Sequence, residues 1–132
     1  MSDQPLYFDD LPIGGEWTSE PRTVTAEDVR TFADLTGDRN PIHLDAAFAR
    51  AQGFPGPIVH GMCTLALAAH ALEAMRGTEA EPAELAVEFT RPVFPGDKLT
   101  VRWADTPAGD GYAFDVVNRK QRTVLRGGRL SW

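Results

Sequence analysis

The chain has 132 residues, enough to bury a core without disulfides or metal, and one globular domain spanning residues 1–132 is expected. Hydrophobic residues make up 42% and charged residues 24%, which excludes a disordered or fibrous class. With 13 Lys and Arg against 19 Asp and Glu, the formal charge of -6 repels a nucleic-acid backbone, and only Arg119-Lys120-Gln121-Arg122 approaches a basic cluster.

In chain order, a strand is predicted around Trp17 to Val24. Thr25 then caps a helix with Asp28 in its first turn and Val29, Phe32 and Ala33 at helical spacing, ending near Gly37. From Asp38 to Pro57 the chain reads as irregular, because Asn40-Pro41 and Gly53-Phe54-Pro55-Gly56-Pro57 leave room for only a short helix around Asp45 to Ala51. Met62 to Arg76 carries Leu65, Leu67, Leu72, Met75 and many alanines on every face before Gly77 ends it, and a helix apolar all round must be surrounded. Its apolar run from Met62 to Leu72 is interrupted by Thr64 and His70 and is too short for a bilayer, so no membrane partner is expected.

The remainder alternates apolar and polar residues as strands do: Leu85, Val87, Phe89; Leu99, Val101, Trp103; Tyr112, Phe114, Val116. Pro95-Gly96-Asp97, Ala108-Gly109-Asp110-Gly111 and Asn118-Arg119-Lys120-Gln121 mark turns, and a last strand runs through Val124 and Leu125 to Leu130 and Trp132. The expected class is α+β: an antiparallel five-stranded meander wrapped around one long central helix, a single hotdog domain. The lone Cys63 allows no internal disulfide, and Met1-Ser2-Asp3-Gln4-Pro5 has neither the positive flank nor the apolar stretch of a secretory signal. A cytoplasmic location is therefore expected.

The informative segment is Thr36-Gly37-Asp38-Arg39-Asn40-Pro41-Ile42-His43-Leu44-Asp45, with Pro57-Ile58-Val59-His60-Gly61-Met62 at the start of the long helix. These residues resemble the MaoC-like family of (R)-specific enoyl-CoA hydratases and acyl dehydratases, whose signature is Gly-Asp-x-Asn-Pro-x-His followed by His-Gly-Met. Phe89-Thr90-Arg91-Pro92-Val93-Phe94-Pro95-Gly96-Asp97-Lys98-Leu99 is similar to the strand-turn-strand piece that follows the helix in that family, so the resemblance covers nearly the whole chain. It implies a hydro-lyase interconverting trans-2-enoyl-CoA and (3R)-hydroxyacyl-CoA. Coenzyme A would be part of the substrate and no cofactor separate from it; acyl carrier protein stays open as the carrier.

Adding water across a double bond conjugated to a thioester needs a base on the water, a proton for C2 and stabilisation of charge on the thioester oxygen. Asp38 and His43 can supply the first two if a turn at Asn40-Pro41 folds the chain so that both reach one water, with Asn40 pinning the loop. For the oxygen, the resemblance implies the backbone amide of Gly61. Unpaired amides and the positive end of the helix dipole meet there, so one aimed amide is worth on the order of 3 kcal/mol of barrier. Met62 then packs beside the site, and the substrate-binding set is Gly61, Asn40 and Met62.

His60 either braces the loop before the helix or touches substrate. Cys63 in the first helical turn is a candidate thiol nucleophile with no neighbouring base in the sequence, and its alternative is a small buried residue. His70 reads as a core or interface histidine. Asp38, His43 and His60 combine carboxylate and imidazole but at a spacing that matches no helix-based ligand motif, so no metal is expected. Arg39, Arg91 and Arg102 are candidates for the coenzyme A phosphates, and Phe48 and Phe54 for the acyl pocket. Exposed edge strands in so short a chain predict a homodimer with the site between subunits. The competing functions are a hotdog acyl-CoA thioesterase and a non-catalytic acyl-binding subunit of a heteromeric dehydratase, the latter usually marked by loss of the Asp or His that this chain keeps.

Overall fold

The computed structural model describes residues 16–76, 84–107 and 109–131. Helix α1, Ala26–Thr36, begins in a capping box: the Thr25 hydroxyl accepts the Asp28 amide at 3.0 Å, and the Asp28 carboxylate accepts the Thr25 amide at 2.9 Å. It ends on Gly37, whose φ of 77° is the left-handed conformation that closes a helix, with its amide on the Ala33 carbonyl at 2.8 Å. Val29 and Ala33 form its buried stripe.

Where the sequence reads as irregular after Asn40, the chain makes a one-turn helix, α2, Pro41–Leu44, directly followed by α3, Ala46–Ala51. The reason is local: Asn40 caps α2 through its side chain, and Pro41 sits in the first helical turn, where its missing N–H costs nothing. Helix α4 runs Gly61–Arg76, and the stop expected at Gly77 lies outside the described residues.

The sheet is antiparallel, but its N-terminal strand is split. Strands β1, Glu16–Thr18, and β2, Arg22–Thr23, both pair with β4, Lys98–Asp105. Between them the Ser19 hydroxyl accepts the Val101 amide at 2.9 Å while the Ser19 amide reaches the Val101 carbonyl at 2.8 Å. Pro21 has no amide to continue the ladder, so six strands stand where five are expected.

With β3, Glu84–Phe89, β5, Gly111–Val117, and β6, Thr123–Ser131, the order is β1-β4-β5-β6-β3. The meander covers only β4 to β6, because β3 lies beside β6 rather than β4. The connection from β3 to β4 is a crossing segment, tied by Val59 to the Val93 carbonyl at 2.7 Å and by Gly96 to the Val24 carbonyl at 2.6 Å. It fixes the approach to α4.

The registers Val101 to Val116, Trp103 to Phe114 and Val116 to Leu125 put these side chains on one face, where they form a single core with Cys63, Leu65, Ala68 and Leu72 of α4. The helix is not surrounded on every side. Met62, Ala66, His70, Glu73 and Ala74 are exposed in the single chain, since an alanine-rich helix reads as apolar on faces that need no cover. Among the described residues no helix is long and apolar enough to cross a membrane.

Candidate active site

The turn at Gly37 releases Asp38 from the end of α1, with its amide on the Thr36 hydroxyl at 3.2 Å and its carboxylate accepting the Asn40 amide at 3.3 Å. The Asn40 side-chain oxygen accepts the Ile42 amide at 3.1 Å, so this residue does pin the loop. One turn of α2 then carries His43 back toward Asp38. Its Nδ1 lies 2.8 Å from the Ile58 carbonyl, and Ile58 returns its amide to the Ile42 carbonyl at 3.1 Å. A carbonyl only accepts, so Nδ1 carries the proton and Nε2 of neutral His43 is left as an acceptor.

His60 is 2% exposed, and its Nε2 lies 2.9 Å from the Asp38 carbonyl, to which it donates. Its ring stacks on His43 with centroids 3.8 Å apart and an angle of 24° between planes. Of the two readings left open for His60, the structure supplies the brace.

A carboxylate oxygen of Asp38 and one ring nitrogen each from His43 and His60 lie within 4.8 Å of one another. Two hydrogen bonds of about 2.8 Å to one water span a comparable distance, so this is a spacing at which a carboxylate and an imidazole share a water. For a metal the stacking is unfavourable, because stacked rings carry their in-plane lone pairs side by side rather than toward one point.

Gly61 opens α4, where the His60 carbonyl accepts the Cys63 and Thr64 amides at 3.0 and 3.1 Å. The Gly61 amide finds no acceptor among the described residues, as expected for the first turn of a helix. Gly61 lines a cavity of about 360 Å³ with Phe54, Ile58, Thr64, Phe89 and Arg91. His43 lines a different one of about 350 Å³ with Arg30, Asp34, Arg39, Leu44 and Pro57. Pro57 lines the His43 cavity, and Ile58 and Val59 line that of Gly61. The fold thus brings Asp38, His43 and His60 together, and Gly61 follows His60 directly at the start of α4.

Met62 is 60% exposed, so the packing role expected for it is not filled within one chain. Phe54 lines the Gly61 cavity, whereas Phe48 is 38% exposed and lines neither. Burial pushes the Cys63 thiol up, as does the negative charge of Asp28, against an opposing effect of Arg22; the residue is a core side chain. His70 is exposed, which removes the core reading. Arg102 is held by both carboxylate oxygens of Asp115, while Arg39 pairs with Asp34 at 2.6 Å and Arg91 donates to the Thr123 carbonyl at 3.1 Å. Phe89 and Thr64 also line the Gly61 cavity; Phe89 opens the segment similar to the family's strand-turn-strand piece, while Thr64 carries no signal beyond its place in the helix.

The family described as MaoC like domain matches residues 12–124. The chain belongs to this MaoC-like family. This MaoC-like domain is 40% identical over 115 residues to "3-hydroxyacyl-thioester dehydratase Y" of Mycobacterium tuberculosis, covering 82% of the chain and 40% of that protein. It is 42% identical over 117 residues to "Peroxisomal hydratase-dehydrogenase-epimerase" of Saccharomyces cerevisiae, covering 88% of the chain and 12% of that protein. The chain therefore spans less than half the length of either relative. Among solved structures it is similar to R-hydratase PhaJ1 of Pseudomonas aeruginosa, with a TM-score of 0.78 and 31% identity over 94% of this chain and 82% of that one. The (R)-hydratase of A. caviae gives a TM-score of 0.78 and 28% identity over 92% and 95%. The fold is the hotdog α+β fold.

Proposed function

We propose that this MaoC-like domain adds water to a trans-2-enoyl thioester to give the (3R)-hydroxyacyl thioester, and catalyses the reverse dehydration, with Asp38 and His43 as its acid-base pair. The observation that carries this is the placement of the Asp38 carboxylate within 4.8 Å of a His43 ring nitrogen, on a ring whose Nδ1–H is already committed to Ile58. One water held between the two presents its oxygen to C3. As the C3–O bond forms, a proton passes from water to the pair and the electrons of the double bond move to the thioester oxygen. The Gly61 amide stabilises that enolate, and the proton then returns to C2, so that H and OH are added and nothing else is consumed.

The R sense is supported by the names of the two R-hydratase structures, and the thioester substrate by that of the mycobacterial relative. The net charge of -6 does not choose between acyl carrier protein and coenzyme A, since both are anionic, and coenzyme A is taken as the carrier. Arg91 beside Gly61, and Arg30 and Arg39 beside His43, are the cations placed to meet its phosphates. A homodimer completes the reading: β3 is an edge strand, and Leu85 at 42% and Phe89 at 49% exposure, with Met62, are apolar surface that a second copy would cover.

The test is a panel of trans-2-enoyl-CoA substrates followed by loss of the conjugated-thioester absorbance, with chiral analysis of the product. Formation of the (3R) alcohol is expected. Free thiol released from a saturated acyl-CoA would point to the thioesterase, and inactivity on the whole panel to a binding subunit.

A further inference from the structure

We infer that His60 is a positioning residue that sets the spacing between the acid-base pair and the oxyanion amide. The inference rests on the proposed hydration. Two features of the side chain and one of the backbone converge on this residue. Its Nε2–H donates to the Asp38 carbonyl, its ring face carries His43, and its own carbonyl accepts the first amides of the helix whose leading residue is Gly61. On α1, Phe32 packs against the same ring with centroids 4.9 Å apart and planes at 55°. Asp38 and His43 belong to the segment after α1, Gly61 to α4, and His60 ties the two.

An aromatic ring alone would not do this. Among the described residues the Nδ1 of His60 is buried without a partner, so the imidazole carries an unmet polar atom that a phenyl ring of similar size would not. What the imidazole adds is the single donor aimed at Asp38. Loss of that donor removes the tie to the Asp38 carbonyl and frees the Asp38 loop to move relative to Gly61. Displacement of a reacting group by about 1 Å can cost roughly a hundredfold in rate with little change in binding.

The experiment compares His60→Gln, His60→Phe and His60→Asn with the wild-type protein in kcat and KM on crotonyl-CoA, alongside the melting temperature of each. Glutamine carries its amide nitrogen the same number of bonds from Cα as Nε2 of histidine and keeps the donor; Asn is too short to reach, and Phe keeps the ring alone. His60→Phe and His60→Asn should lower kcat by about tenfold to a hundredfold with KM within about twofold, and His60→Gln, which keeps the donor but loses the ring under His43, should lose less than either. Wild-type kcat in His60→Phe, or losses in Gln and Phe that are equal and follow the melting temperature, would overturn the inference. If the wild-type protein hydrates nothing, the hydration reading is what has failed, and amide NMR then decides the positioning separately. The Asp38 resonance should move in His60→Phe, where a ring stays and only the donor is lost, and an unmoved Asp38 in His60→Phe would reject it.

Discussion

A side chain on Gly61 would meet Phe89: a Cβ there lies 3.2 Å from Cε1 and 3.3 Å from Cζ of that ring. The ring is 49% exposed and can yield by a few tenths of an ångström, so Gly61→Ala should fold. Turnover should still fall, by up to roughly a hundredfold, because the Cβ also stands where the thioester must approach the amide. Steady-state kinetics of Gly61→Ala with and without Phe89→Leu separate the two constraints. No recovery in the double variant is expected, and full recovery would assign the need for glycine to the ring.

The buried thiol gives a second expectation. Because burial and Asp28 raise the Cys63 pKa, less of it is thiolate between pH 7 and 8 than in a free cysteine. Iodoacetamide should label the native protein slowly, faster only as pH climbs beyond the ordinary thiol range, and Cys63→Ala should keep its hydration rate. Rapid labelling at pH 7 together with an inactive Cys63→Ala would reopen the nucleophile reading.

Capping explains why the ends of α1 could be read from residues alone: Thr25, Asp28 and Gly37 each carry a local reason for what they do. The candidate site segment was legible in the same way, as Asp38, Asn40 and His43 in one run. Long-range choices were not. That β3 pairs with β6 depends on the crossing segment held by Val59 and Val24, and no local pattern records it. The brace from His60 to Asp38 joins residues 22 apart in sequence, and the contact of Phe89 with Gly61 joins two different elements, so neither has a signal in periodicity. The sheet covers α4 as expected on the face of Cys63, Leu65, Ala68 and Leu72, but not on the opposite face of the single chain, because alanine does not distinguish a covered face from an open one.

On the sheet face away from α4, Arg102 grips the carboxylate of Asp115, whose side chain is 7% exposed. Removing the arginine leaves a buried carboxylate short of its main partner, so Arg102→Leu should cost about 3 kcal/mol in chemical denaturation. The double variant Arg102→Leu with Asp115→Leu should recover a large part of it. A single-variant loss below about 0.5 kcal/mol would mean the pair behaves as a surface ion pair.

If β3 is the dimer edge, Leu85→Asp should convert the protein to monomer in sedimentation and lower activity with it, since an unpaired charge would be buried between copies. A wild-type protein that sediments as an active monomer would remove the dimer from the account.

The central claim is the shared water of Asp38 and His43, and the measurement that reaches it most directly is hydration of an enoyl-CoA by Asp38→Asn, read from the conjugated-thioester absorbance. Asn keeps the size of the side chain but takes no proton, so the variant should fold, bind acyl-CoA and lose turnover by about a hundredfold or more. His43→Ala should lose a similar amount, with the double variant little worse than either, because groups that act as a unit do not give additive losses. Near-normal hydration by folded Asp38→Asn would contradict the mechanism.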